Sequence, residues 1–318
     1  MTYCNPKQNI ILRRAELYSV IRKFFSEKNV LEVETPVFSK SGNTDPFIQS
    51  LTANFSISAD REEIYYAQTS PEFAMKRLLA NGSDSIYQIC KVFRVGEMGR
   101  RHNPEFSMLE WYRIGLSYHE LMNEISELLK VLGVSDHSQR MSYKDLFYQY
   151  LKIDLCNVSV DHLKNCAAKS KIDVIGLDDN FDDWLNLLLS HLIEPQLGIE
   201  APLFVYDYPA SQAALANIRE EAYPIAERFE LYLNGIELAN GYQELTTGEF
   251  YKKRFYLENE KRLSRNMNKI SVQNNVLEDL QKGLPFCSGV ALGLDRLLMH
   301  LCNASEIKDV LTFDFLNS

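Results

Sequence analysis

Apolar residues fall at helical spacing across Ile10 to Lys28, where Leu17, Val20, Ile21, Phe24 and Phe25 share one face. Asn29 follows in a position suited to a left-handed helix stop. The run Val30-Leu31-Glu32-Val33-Glu34-Thr35-Pro36 is β-rich and ends at proline, so a short strand is expected there. Ser70-Pro71-Glu72 combines a capping serine, a proline at the first helical position and an acid at the positive helix end, and Gly82 closes that helix. Ile86 to Arg94 and Glu105 to Arg113 predict paired strands around a charged loop, Val95 to Pro104. Ser117-x-x-Glu120 is a capping box before Leu121, Ile125, Leu128, Leu129 and Leu132. Residues 142–197 are mainly helical in pattern. Strands return at Leu203 to Tyr208 and Glu227 to Leu233, turn through Asn234-Gly235, and run back over Ile236 to Leu245. Thr246-x-x-Glu249 predicts the cap of a long polar helix. Ser288 to Gly293 is a small-residue strand leading into a helix, Leu294 to Leu301.

Hairpins separated by variable segments predict an α+β fold with an antiparallel sheet flanked by helices rather than a βαβ array. No repeat, low-complexity segment or Pro/Gly/Ser linker divides the 318 residues. One domain over 1–318 is expected, with a helical insertion at about 142–197.

Composition adds little beyond exclusions. The chain is 46% hydrophobic and 24% charged, ordinary for a globular protein. It has no apolar run near the ~20 residues of a membrane span and no apolar leader after Met1, so a cytoplasmic protein without membrane partners is expected. The six cysteines form no C-x-x-C pair and stand at no zinc-ligand spacing, so reduced thiols are expected. A net charge of −9 argues against broad nucleic-acid binding, although a local basic patch is compatible with it.

Four features carry candidate chemistry. Alternation puts Phe106, Met108, Glu110 and Tyr112 on one strand face, either a floor for a flat ring beside a cationic group or a half-buried strand with a satisfied glutamate. Arg94, Arg100, Arg101 and His102 surround a glycine-containing loop, either a polyphosphate clamp or a solvated turn. Glu237 and Glu244 flank Leu238-Ala239-Asn240-Gly241. Two carboxylates and an amide suit Mg²⁺, but seven residues of regular strand would put the acids on opposite faces, so a bulge at Asn240-Gly241 is required. Gly289 to Arg296 places small residues where a ligand approaches the backbone. Arg296 in the first helical turn opposes the helix dipole unless an anion, or a carboxylate such as Asp295, compensates it.

In this order the four features resemble the three motifs of class II aminoacyl-tRNA synthetases. The matching runs are Leu31 to Pro36; Phe93-Arg94 through His102-Asn103-Pro104-Glu105-Phe106 to Arg113; and Gly289 to Arg296. The lysyl subgroup is the closest. Within it, the short catalytic-domain paralogues that ligate (R)-β-lysine to elongation factor P resemble this chain through Ser70-Pro71-Glu72, Glu97-Met98-Gly99-Arg100, Gly235 to Gly241 and Cys287 to Gly293. The resemblance covers almost the whole chain and implies a class II synthetase-like catalytic core without the anticodon-binding domain. ATP and Mg²⁺ are the implied cofactors.

Residue by residue, it implies that Arg94 contacts the α-phosphate, Asn103 lies by the nucleotide and Phe106 stacks on adenine. Arg296 takes the distal phosphates or the other adenine face. Glu97, His102, Leu238 and Gly293 belong to the ATP site, Glu237 and Glu244 hold Mg²⁺ or substrate, and Arg94 and Arg296 are the catalytic pair. Ser70, Pro71, Glu72, Glu110, Tyr112, Asn240, Glu244, Gly289 and Ala291 line the amino-acid pocket. Ala291 stands where lysyl-tRNA synthetases have glycine, which fits a β-amino acid. The family's Arg-Asn-Glu is Arg94-Val95-Gly96 here, so either adenine reading passes from Gly96 to Glu97 or a backbone carbonyl, or adenine selectivity is weaker. The implied activity is adenylation of (R)-β-lysine or lysine and transfer to elongation factor P, by a homodimer without stable nucleic-acid binding. A truncated lysyl-tRNA synthetase and a non-catalytic amino-acid-binding regulator are the rival readings.

Overall fold

A computed structural model describes residues 6–174 and 176–318. In chain order its elements begin with α1 (Pro6–Glu27), β1 (Leu31–Glu32), β2 (Phe38–Ser39), β3 (Thr52–Ser58), β4 (Arg61–Ala67), α2 (Glu72–Ala80), β5 (Ile86–Phe93), β6 (Glu105–Ile114) and α3 (Tyr118–Val131). There follow β7 (Gln139–Ser142), α4 (Tyr143–Leu151), α5 (Val160–Lys169), α6 (Phe181–Leu188), β8 (Leu203–Pro209), β9 (Ile218–Arg219), β10 (Ile225–Leu233) and β11 (Ile236–Gln243). The chain closes with α7 (Gly248–Ser264), α8 (Asn274–Gln281), β12 (Cys287–Gly293) and α9 (Leu294–Leu301). These elements divide into two compact units, one of residues up to 121 with 244–318, the other of 122–243.

The first unit is built on strands in the order β1-β5-β6-β12. The β5/β6 and β6/β12 pairs are antiparallel and β1/β5 is parallel, so the sheet is mixed rather than wholly antiparallel. Helix α1 covers one face: Phe25 stacks on Tyr87 at 4.4 Å and meets Trp111 edge-on at 5.3 Å. Leu17, Ile21, Phe24 and Phe25 are buried as their spacing predicts, and Asn29 ends the helix at φ 56°. The β-rich run after it keeps strand geometry only over Leu31–Glu32. A three-stranded sheet, β2-β4-β3, lies outside the sequence-based expectations. Its exposed Phe55, Ile57 and Ile64 blur the alternation that would have marked it.

In the second unit β10 pairs antiparallel with β11, β8 and β9, and β8 pairs parallel with β7. Asn234 and Gly235 take φ 52° and 66°, the doubly left-handed turn expected of Asn-Gly. Helices α4, α5 and α6 supply the expected helical stretch, and their Tyr143, Phe147, Leu163, Leu185 and Leu188 share one buried core with Leu203, Val205 and Tyr208 of β8.

Candidate active site

The pocket floor follows from strand register. Opposite residues of paired strands project to the same side. Gln88 faces Glu110 and Ile86 faces Tyr112 across β5/β6; Ala291 faces Glu110 and Gly289 faces Tyr112 across β6/β12. Because α1 takes the side of Tyr87 and Trp111, the side bearing Glu110 and Tyr112 is left for chemistry. That explains an alternation that is neither core nor solvent.

Helix α2 stands over this floor. Ser70 donates to Glu110 Oε2 at 2.6 Å, and its Oγ accepts from the Glu72 N–H at 3.0 Å, so it caps the helix from one position earlier than the spacing suggests. Tyr112 donates to the other Glu110 oxygen at 2.7 Å. Burial first, and then the charge of Glu72, push the Glu110 carboxyl up to about 8. Burial also pushes Glu244 up to about 7, against the pull of a neighbouring ammonium.

That ammonium belongs to Lys76, which the sequence reading did not single out. It is 0% exposed, with Nζ at 2.6 Å from both Glu72 Oε1 and Glu244 Oε2. The other Glu244 oxygen faces the floor: a Cβ on Gly289 would lie 2.6 Å from it and 2.4 Å from Tyr112 Cε1. Glycine is therefore obligatory at 289 for this close approach. Glu72, Glu110, Glu244, Tyr112, Ser70, Gly289 and Ala291 are thus brought together, and Pro71 begins the helix that holds Glu72.

A second cluster forms at the β5–β6 loop. The Arg94 guanidinium lies 5.1 Å over the Phe106 ring, and its Nη1 is 3.5 Å from Glu97 Oε1. Arg296, at the start of α9, donates to His102 Nε2 at 2.6 Å. Burial and then the charge of Arg296 lower the His102 pKa, which keeps the ring neutral and able to accept. Asp295 does not compensate Arg296. It is buried and pairs with Arg14 at 2.6 Å, while its Oδ2 accepts from the Ser107 N–H at 2.7 Å. The dipole-opposed arginine is left facing the loop, a favourable place for an anion. Asn103 donates to the Glu105 carbonyl at 2.6 Å and accepts from the Phe315 N–H, so both ends of its amide are engaged. Gly96 turns at φ 85° and its carbonyl takes the Met98 N–H. Gly293 ends β12 opposite Met108.

Glu237, Leu238 and Asn240 belong to the second unit. The bulge that the sequence demanded exists, but at Leu238: Leu231 pairs with Ala239 and Tyr232 with Glu237, whereas Asn240 and Gly241 pair regularly. The extra residue puts Glu237 in phase with Asn240 and Tyr242. On β10 the same face carries Arg228 and Glu230, and Arg228 Nε donates to Asn240 Oδ1 at 3.3 Å. Tyr208 and Tyr232 both donate to Glu230 Oε2, at 2.6 and 2.5 Å.

The donor chemistry divides the pair expected to hold Mg²⁺. Glu244 does not fit: a buried ammonium already takes one of its oxygens, and an adjacent fixed cation repels a metal ion. Glu237 offers hard carboxylate oxygens of the kind Mg²⁺ takes, with the Arg228 guanidinium as a charged neighbour.

A family model of class II tRNA synthetases (D, K and N) matches residues 2–316. Curated relatives named elongation factor P–(R)-β-lysine ligase align over 305 residues, 95% of this chain and 94% of theirs. They include proteins from Pectobacterium atrosepticum at 42% identity, Buchnera aphidicola subsp. Acyrthosiphon pisum at 44% and Yersinia enterocolitica at 43%. Among the described residues no helix is long and apolar enough to cross a membrane.

Proposed function

Because the chain belongs to the class II tRNA synthetases (D, K and N), we propose that it activates (R)-β-lysine with ATP and transfers the acyl group to a lysine side chain of elongation factor P. The observation that carries this reading is the buried pocket on β5, β6 and β12. Glu72 and Glu244 hold the fixed ammonium of Lys76 and Glu110 is coupled to the same cluster, so the three carboxylates outnumber the one cation by the two ammonium charges of a diamino acid. The relatives' printed names supply the acceptor and the β-amino acid.

In the first half-reaction a substrate carboxylate oxygen attacks the α-phosphorus of ATP. The bond from α-phosphorus to the bridging oxygen breaks and pyrophosphate leaves. The protein's part is positioning and charge. Arg94, poised over Phe106, takes the α-phosphate while the ring offers a stacking face to adenine. Arg296, steadied by neutral His102, receives the distal phosphates. Mg²⁺ bound with ATP would supply further neutralisation of phosphate charge. In the second half-reaction the neutral ε-amine of the acceptor lysine attacks the acyl carbon. AMP leaves, an amide forms and one proton is released.

Assembly as a homodimer and a cytoplasmic location are part of this proposal. The test offers the enzyme, ATP and labelled (R)-β-lysine to elongation factor P and bulk tRNA together, followed by intact-mass analysis of both. Label is expected on the protein as one added β-lysyl group. Label on tRNA with none on the protein would replace this reading by tRNA charging.

A further inference from the structure

A lysine with a fully buried ammonium needs partners for all of its charge, because desolvation alone would expel it or strip its proton. Lys76 has them at 2.6 Å on two sides. The partners come from different parts of the first unit. Glu72 lies one turn earlier on α2, and Glu244 immediately follows β11, its N–H bonded to the Cys287 carbonyl on β12. Tyr251 of α7 presents its ring 5.6 Å from the ammonium and is itself anchored by its hydroxyl to the Leu245 carbonyl. Burial disfavours the charged lysine, yet Glu244 and Glu72 outweigh it and hold its pKa well above the ordinary range.

The geometry also decides which oxygens remain. Lys76 takes Oε1 of Glu72 and Oε2 of Glu244. Oε1 of Glu244 is turned to Gly289 and Tyr112. Without a cation between them, two carboxylates this close would repel and turn apart. With it, each is pinned by one oxygen, and Glu244 turns the other to the floor.

We propose that Lys76 is a positioning and specificity-determining residue: a permanent internal ammonium that aims Glu72 and Glu244 at the substrate's amines and leaves a charge deficit that only a diamino acid fills. This deepens the functional reading above and rests on it. With Glu72, Glu110 and Glu244 ionised, Lys76 cancels one charge and the two ammonium groups of lysine or β-lysine cancel the rest. A monoamine such as norleucine leaves one buried carboxylate unmatched.

The test is Lys76→Ala in the full-length enzyme, read by amino-acid-dependent ATP–pyrophosphate exchange, with and without propylammonium as a substitute cation. The expected result has three parts: a rise of about 10²-fold in KM for the diamino acid, a KM for ATP within threefold of wild type, and recovery of at least tenfold in the presence of propylammonium. Chemical rescue is a response that a lost packing contact does not give. Circular dichroism checks folding. If Lys76→Ala unfolds, the paired substitution Lys76→Met with Glu244→Gln replaces the buried ion pair by neutral groups, and it is expected to fold and to lose the preference for lysine over norleucine. Unchanged KM for the diamino acid in folded Lys76→Ala, absence of rescue, or an intact preference in the double variant overturns the proposal. Failure of the wild-type enzyme to exchange with any diamino acid counts instead against the functional reading.

Discussion

Replacing Gly289 by alanine adds a single methyl group at the tightest point of the pocket. Its carbon would lie 2.4 Å and 2.5 Å from two Tyr112 ring carbons and 2.6 Å from Glu244 Oε1. Carbon atoms in contact prefer about 3.5–4.0 Å, so the ring must retreat by roughly 1 Å. Tyr112 is 2% exposed and is tied by its hydroxyl to Glu110 at 2.7 Å, while Glu244 is tied to Lys76, so neither neighbour has free space. Overpacking of this kind costs about 1–3 kcal/mol of stability. A displacement of about 1 Å among substrate-positioning groups reduces catalysis by about 10²-fold. The assay is amino-acid-dependent ATP–pyrophosphate exchange, with KM resolved separately for the amino acid and for ATP, beside thermal unfolding. The loss is expected in the amino-acid terms, with KM for ATP little changed because the Arg94–Phe106 pair does not involve residue 289. A Gly289→Ala enzyme that exchanges within threefold of wild type would refute the claim that Tyr112 and Glu244 are held in place here.

Three further outcomes follow from the same geometry. Arg94→Ala and Arg296→Ala should each reduce exchange by about 10²–10³-fold, the scale of one preorganised charge partner, and exchange within threefold of wild type for both would remove the phosphate-clamp assignment. Ala291→Gly clears a methyl opposite Glu110 and should move the preference from β-lysine toward α-lysine in a direct competition; an unchanged ratio means that the methyl only packs. Glu110, pushed up to about 8, must lose its proton to pair with an incoming ammonium, so kcat/KM for the amino acid should rise with pH toward about 8 and Glu110→Gln should flatten that limb. The sign for stability is opposite: between about 4.5 and 8 the folded chain retains a proton that the unfolded chain gives up, so this group's contribution to stability falls as pH rises through that window.

Where local chemistry decided the backbone, the sequence was readable. Asn29 and the Asn234-Gly235 turn adopt the left-handed conformations that these residue types tolerate, and the Ser117–Glu120 capping box closes with reciprocal bonds of 2.8 and 3.3 Å. Where two structures of similar local energy competed, tertiary contacts decided. Helix α7 begins after Thr247 rather than Thr246 and has no side-chain cap, because Gly248 must approach the backbone of α8, where a Cβ would lie 2.3 Å from Gln281 Cα. The bulge expected at Asn240-Gly241 sits at Leu238 because the register of β10 stays regular through Glu230 and Leu231. Glycine supplied the possibility of an irregularity, and the partner strand chose its position.

The site residues differ in the same way. Glu110, Tyr112, Gly289 and Ala291 could be found by counting along strands, since period-two alternation and a single pairing register place them on one face. Lys76 could not. A glutamate and a lysine four residues apart on a helix have the spacing of an ordinary solvent-exposed ion pair, which contributes only about 0.3–0.5 kcal/mol. Its burial depends on Glu244, which lies far along the chain and meets it only in the folded structure. The one available signal was a surplus of acid. Three carboxylates assigned to a single small pocket exceed what two substrate amines neutralise, so the fold has to supply a further cation. Counting charge within the pocket, rather than along the helix, identifies the residue type that must be there and leaves its position to the three-dimensional structure.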